Sequence, residues 1–259
     1  MSKLSQDDIR FFKRKGYLIK RGILDPELMA QARDSLWAAA PPELDRNDPD
    51  SWIGPLPDRN EPPSSMGGYT WKYRDRGDED WMIRLLATDS TVWAMAEQFL
   101  GPRTLRRPDR VRGIYCNFPE GDKPAVPPTC HCDGHAFHLG IVGYIDKVFP
   151  DGGGLKVWPG SHLRFYYDFD TRFLTEESER ARKDYEYFNQ QAYVDFHGDA
   201  GDIIFWHHRL AHAGAYNRTR QIRQAVFYDF CRDDMDEKMD APPAEDMWED
   251  WSAEVRKLT

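Results

Sequence analysis

The chain has 259 residues, with 35 Lys and Arg against 44 Asp and Glu, for a net charge of -9. This acidic balance argues against a nucleic-acid binder, because neutralising phosphates needs a surplus of cations. No N-terminal apolar run of signal-peptide type and no stretch of bilayer-spanning length is present, so a cytoplasmic protein that neither crosses nor needs a membrane is expected. The length suits one domain (1–259) with a well-filled core. The four cysteines, Cys116, Cys130, Cys132 and Cys231, lack zinc-ribbon or redox spacing, and reduced thiols follow.

Residues 1–101 read as a helical entry segment with an aromatic loop. Ser5 can cap a helix that begins Gln6-Asp7-Asp8, carries Ile9 and Phe12 on one face and stops at Gly16. Tyr17-Leu18-Ile19 is a short strand, and Asp25-Pro26 opens a second helix reaching Ala40. From Pro41 to Gly77 the chain is rich in Pro, Gly and charge, with Trp52, Tyr69, Trp71 and Tyr73 interspersed. Loops that long are usually functional, so its 52–77 part is a candidate lid, and Trp71 a candidate substrate contact, against plain packing on the core. Trp81 to Leu100 predicts one or two helices before Gly101-Pro102.

Residues 102–232 read as a β core. His131-Cys132-Asp133 is its most informative stretch, because alternate residues on a strand share a face: His131 and Asp133 can grip one ion while Cys132 points away. Gly201 to Trp206 predicts a buried strand that leads through His207, His208 and Arg209 to His212. Tyr216-Asn217-Arg218-Thr219 has turn character, and Gln221 to Phe230 alternates as a strand. A hairpin there brings Arg223 beside His212. A His-x-Asp pair plus a distant His is the ligand set of a mononuclear non-haem Fe(II) centre with one face open. A planar guanidinium beside it suits a carboxylate. The competing metal reading, a zinc cluster of Cys130, His131, Cys132 and His135, requires side chains from both faces of one strand. Among the remaining histidines, His135 and His138 are expected near the pocket or in structural hydrogen bonds. His162 should fix a turn near the site, and His197, His207 and His208 should lie on the surface or behind the ligands.

An insertion, 163–191, charged and Tyr-rich, interrupts the β core and is expected to cover the mouth of the site. The tail, 233–259, is acidic, and Trp248 and Trp251 are spaced to dock a short helix on the body.

His131-Cys132-Asp133, Gly153 to His162, Gly201-Asp202, His212 with Asn217, and Arg223 occur in an order that resembles the phytanoyl-CoA dioxygenase-like family of Fe(II)- and 2-oxoglutarate-dependent oxygenases. The resemblance implies a mostly β fold with flanking helices. This is a double-stranded β-helix, jelly-roll and cupin-like, with N-terminal helices packed on one sheet. It implies Fe(II) held by His131, Asp133 and His212, with 2-oxoglutarate as cosubstrate and O2 as oxidant. Arg223 would hold the far carboxylate of 2-oxoglutarate, with Asn117 and Phe137 beside it. For Asn117 a turn-capping role, and for Phe137 core packing, stand as alternatives. Many relatives carry Ser two residues after the distal His; here Gly214 stands there, leaving Thr219 or Tyr115 as candidate replacements.

The implied reaction is hydroxylation of an unactivated C–H bond with release of succinate and CO2. Retention of Asp133 speaks against halogenation, and desaturation, epoxidation or epimerisation use the same iron site. Arg103 to Arg112 concentrates positive charge in an acidic protein, which points to an anionic small-molecule substrate contacted by Arg110 and Arg112, with His135 nearby. A solvated basic face is the bland alternative. Oligomeric state is not legible in the sequence.

Overall fold

Ser5 caps α1 (Gln6–Lys15) by accepting from the Asp8 N–H at 3.1 Å, while the Asp8 carboxylate accepts from the Ser5 N–H at 2.9 Å. Gly16 ends the helix in the left-handed region, and a Cβ there would also meet His162 Nδ1 at 2.5 Å. Next come β1 (Tyr17–Lys20) and α2 (Pro26–Ala38), the latter capped by Asp25 and two residues shorter than expected. An edge strand β2 (Thr70–Tyr73) precedes α3 (Asp80–Leu85) and α4 (Ser90–Leu100), separated because Asp89 caps a second helix. The core then supplies β3 (Gly113–Asn117), β4 (Leu139–Tyr144), β5 (Lys156–Val157), α5 (His162–Phe165), α6 (Glu179–Phe188), β6 (Val194–Asp195), β7 (Ile203–His207), β8 (His212–Ala213) and β9 (Arg223–Phe230). Short helices α7 (Met235–Lys238) and α8 (Ala253–Lys257) close the chain. This computed structural model describes residues 3–56, 68–124, 126–176 and 178–258.

The strands form a six-stranded sheet in the order β1-β7-β4-β9-β3-β2 and a three-stranded sheet β6-β5-β8, with every ladder antiparallel. The six-stranded sheet is buried on both faces, and alternation sorts its side chains. Ile141, Ile203, Phe205 and Val226 pack outward against the helices, whereas Val142, Tyr144, Ile204, Trp206 and Ala225 pack inward with Leu155 and Val157 of the smaller sheet. This is the expected jelly roll with helices on one sheet. A Cβ at Gly140 would collide with the Trp206 indole at 2.2 Å, so glycine there lets that ring lie flat across β4.

Three expectations need correction. Trp71 pairs with Cys116 across β2 and β3 and packs on the helical side, near Leu36 and Phe118. Alternation on β2 turns Thr70 and Lys72, not Trp71, toward the interior of the roll. His207 and His208 are buried, not superficial: His207 stacks on Trp251 at 5.1 Å and on His208 at 4.4 Å. His162 reaches Lys13 O at 3.0 Å, so it anchors the end of α1. The tail docks on the body as expected, although Trp248 and Trp251 sit in the turn before α8 and cover Phe12. His197 is the surface residue expected. Part of the candidate lid, 57–67, falls outside the described residues.

Candidate metal centre

Backbone pairing brings the two halves of the site together. The His131 N–H donates to His212 O and the His212 N–H to His131 O, each at 2.9 Å, so the His-x-Asp segment meets β8 at one antiparallel bridge. Side chains on the same face then converge. His131 Nε2 is 3.8 Å from Asp133 Oδ1, His212 Nε2 is 3.5 Å from Asp133 Oδ2, and one donor atom from each lies within 4.8 Å of the others. His212 Nδ1 bonds Leu210 O at 2.9 Å, which assigns the proton to that nitrogen and aims the Nε2 lone pair at the shared centre. Asp133 Oδ2 is buried and, among the described residues, accepts no hydrogen bond. Burial alone would raise the Asp133 pKa, but His212, Arg112 and His131 hold it well below the usual carboxylate range. An ionised, under-bonded carboxylate between two imidazoles is what a divalent cation requires, and the donor set matches the facial triad of iron centres.

The other face of the ligand segment is sealed. Cys130 and Cys132 point into an apolar cluster with Trp158, Phe165, Phe169 and Phe188, which excludes a zinc cluster using both them and His131. Burial pushes both thiols up to about 12, so they are poor metal ligands. The 163–191 insertion supplies much of this wall. Asn189 Oδ1 accepts from the Cys130 N–H at 2.8 Å, Tyr185 Oη accepts from the Cys132 N–H at 3.1 Å, and the Thr175 hydroxyl donates to Asp133 O. Buried Arg209 ties the insertion down by donating to Thr171 O at 2.6 Å and Leu174 O at 2.9 Å. The insertion was expected to cover the site mouth; the structure places it behind the ligands, clamping their backbone.

Beside the triad, Arg112 Nη2 lies 3.6 Å from Asp133 Oδ2 and 2.5 Å from Asp229 Oδ2, and His135 Nε2 lies 3.2 Å from the same Asp229 oxygen. Burial would lower the Arg112 pKa, but Asp229 and Asp133 raise it. Arg112 is therefore committed to the ligand carboxylate and its neighbour, a different task from the free substrate cation expected of it. His135 completes the same network, stacked on Phe137 at 5.0 Å.

The triad opens into a cavity of about 480 Å³, a size suited to small molecules. Arg223 lies in its wall, placed by β9 opposite β3; the expected hairpin with the His212 strand does not form, because β8 belongs to the smaller sheet and faces Arg223 across the roll. Its Nε donates to Gly153 O at 3.0 Å and its Nη1 to Tyr115 O at 3.2 Å, while Nη2 has no partner among the described residues. Burial lowers its pKa, and only Tyr144, Cys116 and Tyr115 raise it; no carboxylate takes part. A buried arginine remains charged, so this guanidinium calls for an anion from outside the chain.

Two expected neighbours stand back from the cavity. Asn117 donates to Ala215 O at 2.5 Å and bonds Gly153 O at 3.4 Å, so its amide ties loops together. Phe137 is core, edge-on to Trp206 at 6.3 Å. Of the candidate replacements around Gly214, Tyr115 reaches the cavity, whereas the Thr219 hydroxyl donates to Asn217 Oδ1 at 2.8 Å. The lining also includes Thr70, Lys72, Arg74, Tyr144 and Trp206, none of which sequence reasoning had assigned to the site. For Thr70, Lys72 and Arg74 the signal was the alternation of β2, readable only once its register against β3 was known.

The family model described as phytanoyl-CoA dioxygenase (PhyH) matches residues 12–225. The chain therefore belongs to this family, and with it to the Fe- and 2-oxoglutarate-dependent oxygenases. Among solved structures, it is similar to the epimerase SnoN from nogalamycin biosynthesis, at 20% identity over 95% of this chain and 96% of that one, with a TM-score of 0.58. EctD from S. alaskensis shares 22% identity over 88% and 77% of the two chains, with a TM-score of 0.56. HygX from Streptomyces hygroscopicus, solved with nickel and 2-oxoglutarate, shares 14% over 88% and 87%, with a TM-score of 0.55. These likenesses speak to the fold. No curated protein sequence matches the chain.

Proposed function

We propose that this member of the phytanoyl-CoA dioxygenase family hydroxylates an unactivated C–H bond of a small molecule in the cytoplasm. The observation that carries the reading is the pairing, in one cavity, of an under-bonded His131–Asp133–His212 triad with a buried arginine that has no acid partner among the described residues. His131, Asp133 and His212 would hold Fe(II), and Arg223 would hold the far carboxylate of 2-oxoglutarate. Bound there, iron and 2-oxoglutarate supply the oxidising chemistry, with O2 consumed and succinate and CO2 released as the substrate gains a hydroxyl group.

The chain's own residues supply placement. The bridge between His131 and His212 fixes the spacing of the imidazoles, and the hydrogen bond from His212 Nδ1 fixes its tautomer. Arg112 holds the Asp133 carboxylate from the side and so limits its rotation. Trp206, Tyr144, Val142 and Leu155 give the cavity an apolar and aromatic wall against which a substrate can be oriented. Asp133 keeps a carboxylate in the ligand set, which favours hydroxylation over halogenation. Arg223 favours a cosubstrate-dependent enzyme over a cupin-like one that needs no dicarboxylate.

The test is an anaerobic titration of the metal-free protein with Fe(II) and then 2-oxoglutarate, followed through the visible charge-transfer band of a chelated 2-oxo acid. The band is expected in the wild type and should be lost in Arg223→Ala at the same cosubstrate concentration. Iron binding without a band hands the assignment to the cupin-like reading.

A further inference from the structure

The metal cavity does not end at the triad. Arg74, Arg112 and Tyr115 also line a second, more open hollow of about 550 Å³, whose remaining walls include Arg110, His135 and Asp229. The hollow is therefore a vestibule that adjoins the metal cavity across Arg74, Arg112 and Tyr115. Its charge is opposite to that of the chain as a whole: three arginines face one carboxylate in a protein of net charge -9. That carboxylate, Asp229, is already paired with Arg112 at 2.5 Å and with His135 at 3.2 Å. Arg74 and Arg110 remain, both exposed, and neither has an acidic partner among the described residues.

Their placement is built, although from separate elements. Arg74 follows β2, and its Nη2 donates to Tyr115 Oη at 3.2 Å while its guanidinium lies 5.5 Å from the centre of that ring. Tyr115 thereby aims Arg74 at the junction of the two hollows. Arg110 precedes β3 and leans on the turn that follows Arg74: a Cβ at Gly77 would sit 3.5 Å from its Nη2. The turn is tied down by Gly77 N–H donating to Arg74 O at 3.0 Å and by Val111 N–H donating to Gly77 O at 2.8 Å. Two unpaired guanidiniums over the entrance to a reaction chamber attract an anion and can grip it bidentately.

We propose that Arg74 and Arg110 form the binding site for an anionic group, a carboxylate or phosphate, on the oxygenase's own substrate, leaving the rest of that molecule to extend past Tyr115 toward the metal. The assignment rests on the oxygenase reading and moves anion recognition from Arg112, which serves the metal ligand, to Arg74 and Arg110. It also makes the substrate anion distinct from the 2-oxoglutarate carboxylate, which has its own arginine.

Calorimetry on the full chain, loaded anaerobically with Fe(II) and saturating 2-oxoglutarate, would use pyrophosphate, phenylacetate and phenylacetamide as probes. The anions should bind the wild type at least about tenfold more tightly than the neutral amide, and the Arg74→Gln/Arg110→Gln double variant should lose that preference. Arg110→Gln alone, which has no contact with the triad among the described residues, should show a partial loss while the 2-oxoglutarate band persists, which proves the fold intact. Equal binding of amide and anions by the wild type, or undiminished anion binding by the double variant, overturns the proposal. Absence of the band in the wild type would instead count against the oxygenase reading, and the same calorimetry without cosubstrate would still decide whether the vestibule selects anions.

Discussion

Six of the eight histidines of this chain divide into two neighbourhoods that look alike in the sequence and differ in what faces them. His131 and His212 face a carboxylate, an arginine and open space. His138, His162, His207 and His208 face one another and the rings of Phe173, Trp248 and Trp251. In the second group burial opposes protonation, pushing His138 down to about 3 and His162 to about 4, and leaves neutral rings that serve as packing. Imidazole becomes a metal ligand when its free nitrogen converges with an acid at an accessible cavity; without the acid it is an aromatic side chain with a polar edge.

The largest effect should come from exchanging the two neighbourhoods in a test. His131→Ala is expected to abolish Fe(II) binding and succinate release while the circular dichroism spectrum and Tm stay near wild type, since that side chain is 54% exposed. His207→Ala should do the reverse. It removes a fully buried ring and lowers stability by about 2 to 5 kcal/mol in urea unfolding, yet leaves one iron per folded molecule. Loss of iron in His207→Ala with the fold intact would erase the distinction drawn here.

A subtler change probes the support of the ligand carboxylate. Asp229→Asn weakens the hold on Arg112, which in turn flanks Asp133, and second-layer changes of this kind cost about 10- to 100-fold in metal affinity. Anaerobic Fe(II) titration should show that drop, and Asp229→Glu should recover part of it. The clamp behind the ligands is tested by Tyr185→Phe, which leaves the Cys132 N–H without its acceptor. A cost of about 1 to 3 kcal/mol in stability is expected, with weaker iron binding as the segment loosens.

The smallest effect concerns pH. Asp133 is held down by cations, whereas Asp168, within the insertion, is pushed up to about 6 by burial and by Asp184 beside it. The folded chain then keeps the Asp168 proton that the unfolded chain gives up near 3.8, so stability falls as pH rises through the interval from that value to about 6. Asp168→Asn should flatten this slope and give the higher Tm at pH 7 to 8. Parallel Tm–pH curves for the two proteins would show that Asp168 does not titrate in this way.

The features legible along the chain are local and periodic. The cap at Ser5, the stop at Gly16 and the shared face of His131 and Asp133 follow from helix-end chemistry and two-residue alternation, whereas Arg223 reaches the cavity of His212 from the opposite sheet and not through the expected hairpin. The order of these motifs also sufficed for the family and the jelly roll. What only the tertiary structure decided is which face of a strand meets the site when both faces are buried. Alternation says that Trp71 and Lys72 point opposite ways; it does not say which way is in, and the register of β2 against β3 sends Trp71 to the helices. The same holds for His207, expected at the surface or behind the ligands, which the C-terminal tail covers with Trp248 and Trp251. It holds too for the insertion, a charged segment whose Tyr185 and Asn189 find backbone partners 53 and 59 residues away in sequence. Long-range contacts of this kind leave no periodic trace, because the spacing along the chain is set by loop lengths and not by the geometry of either surface.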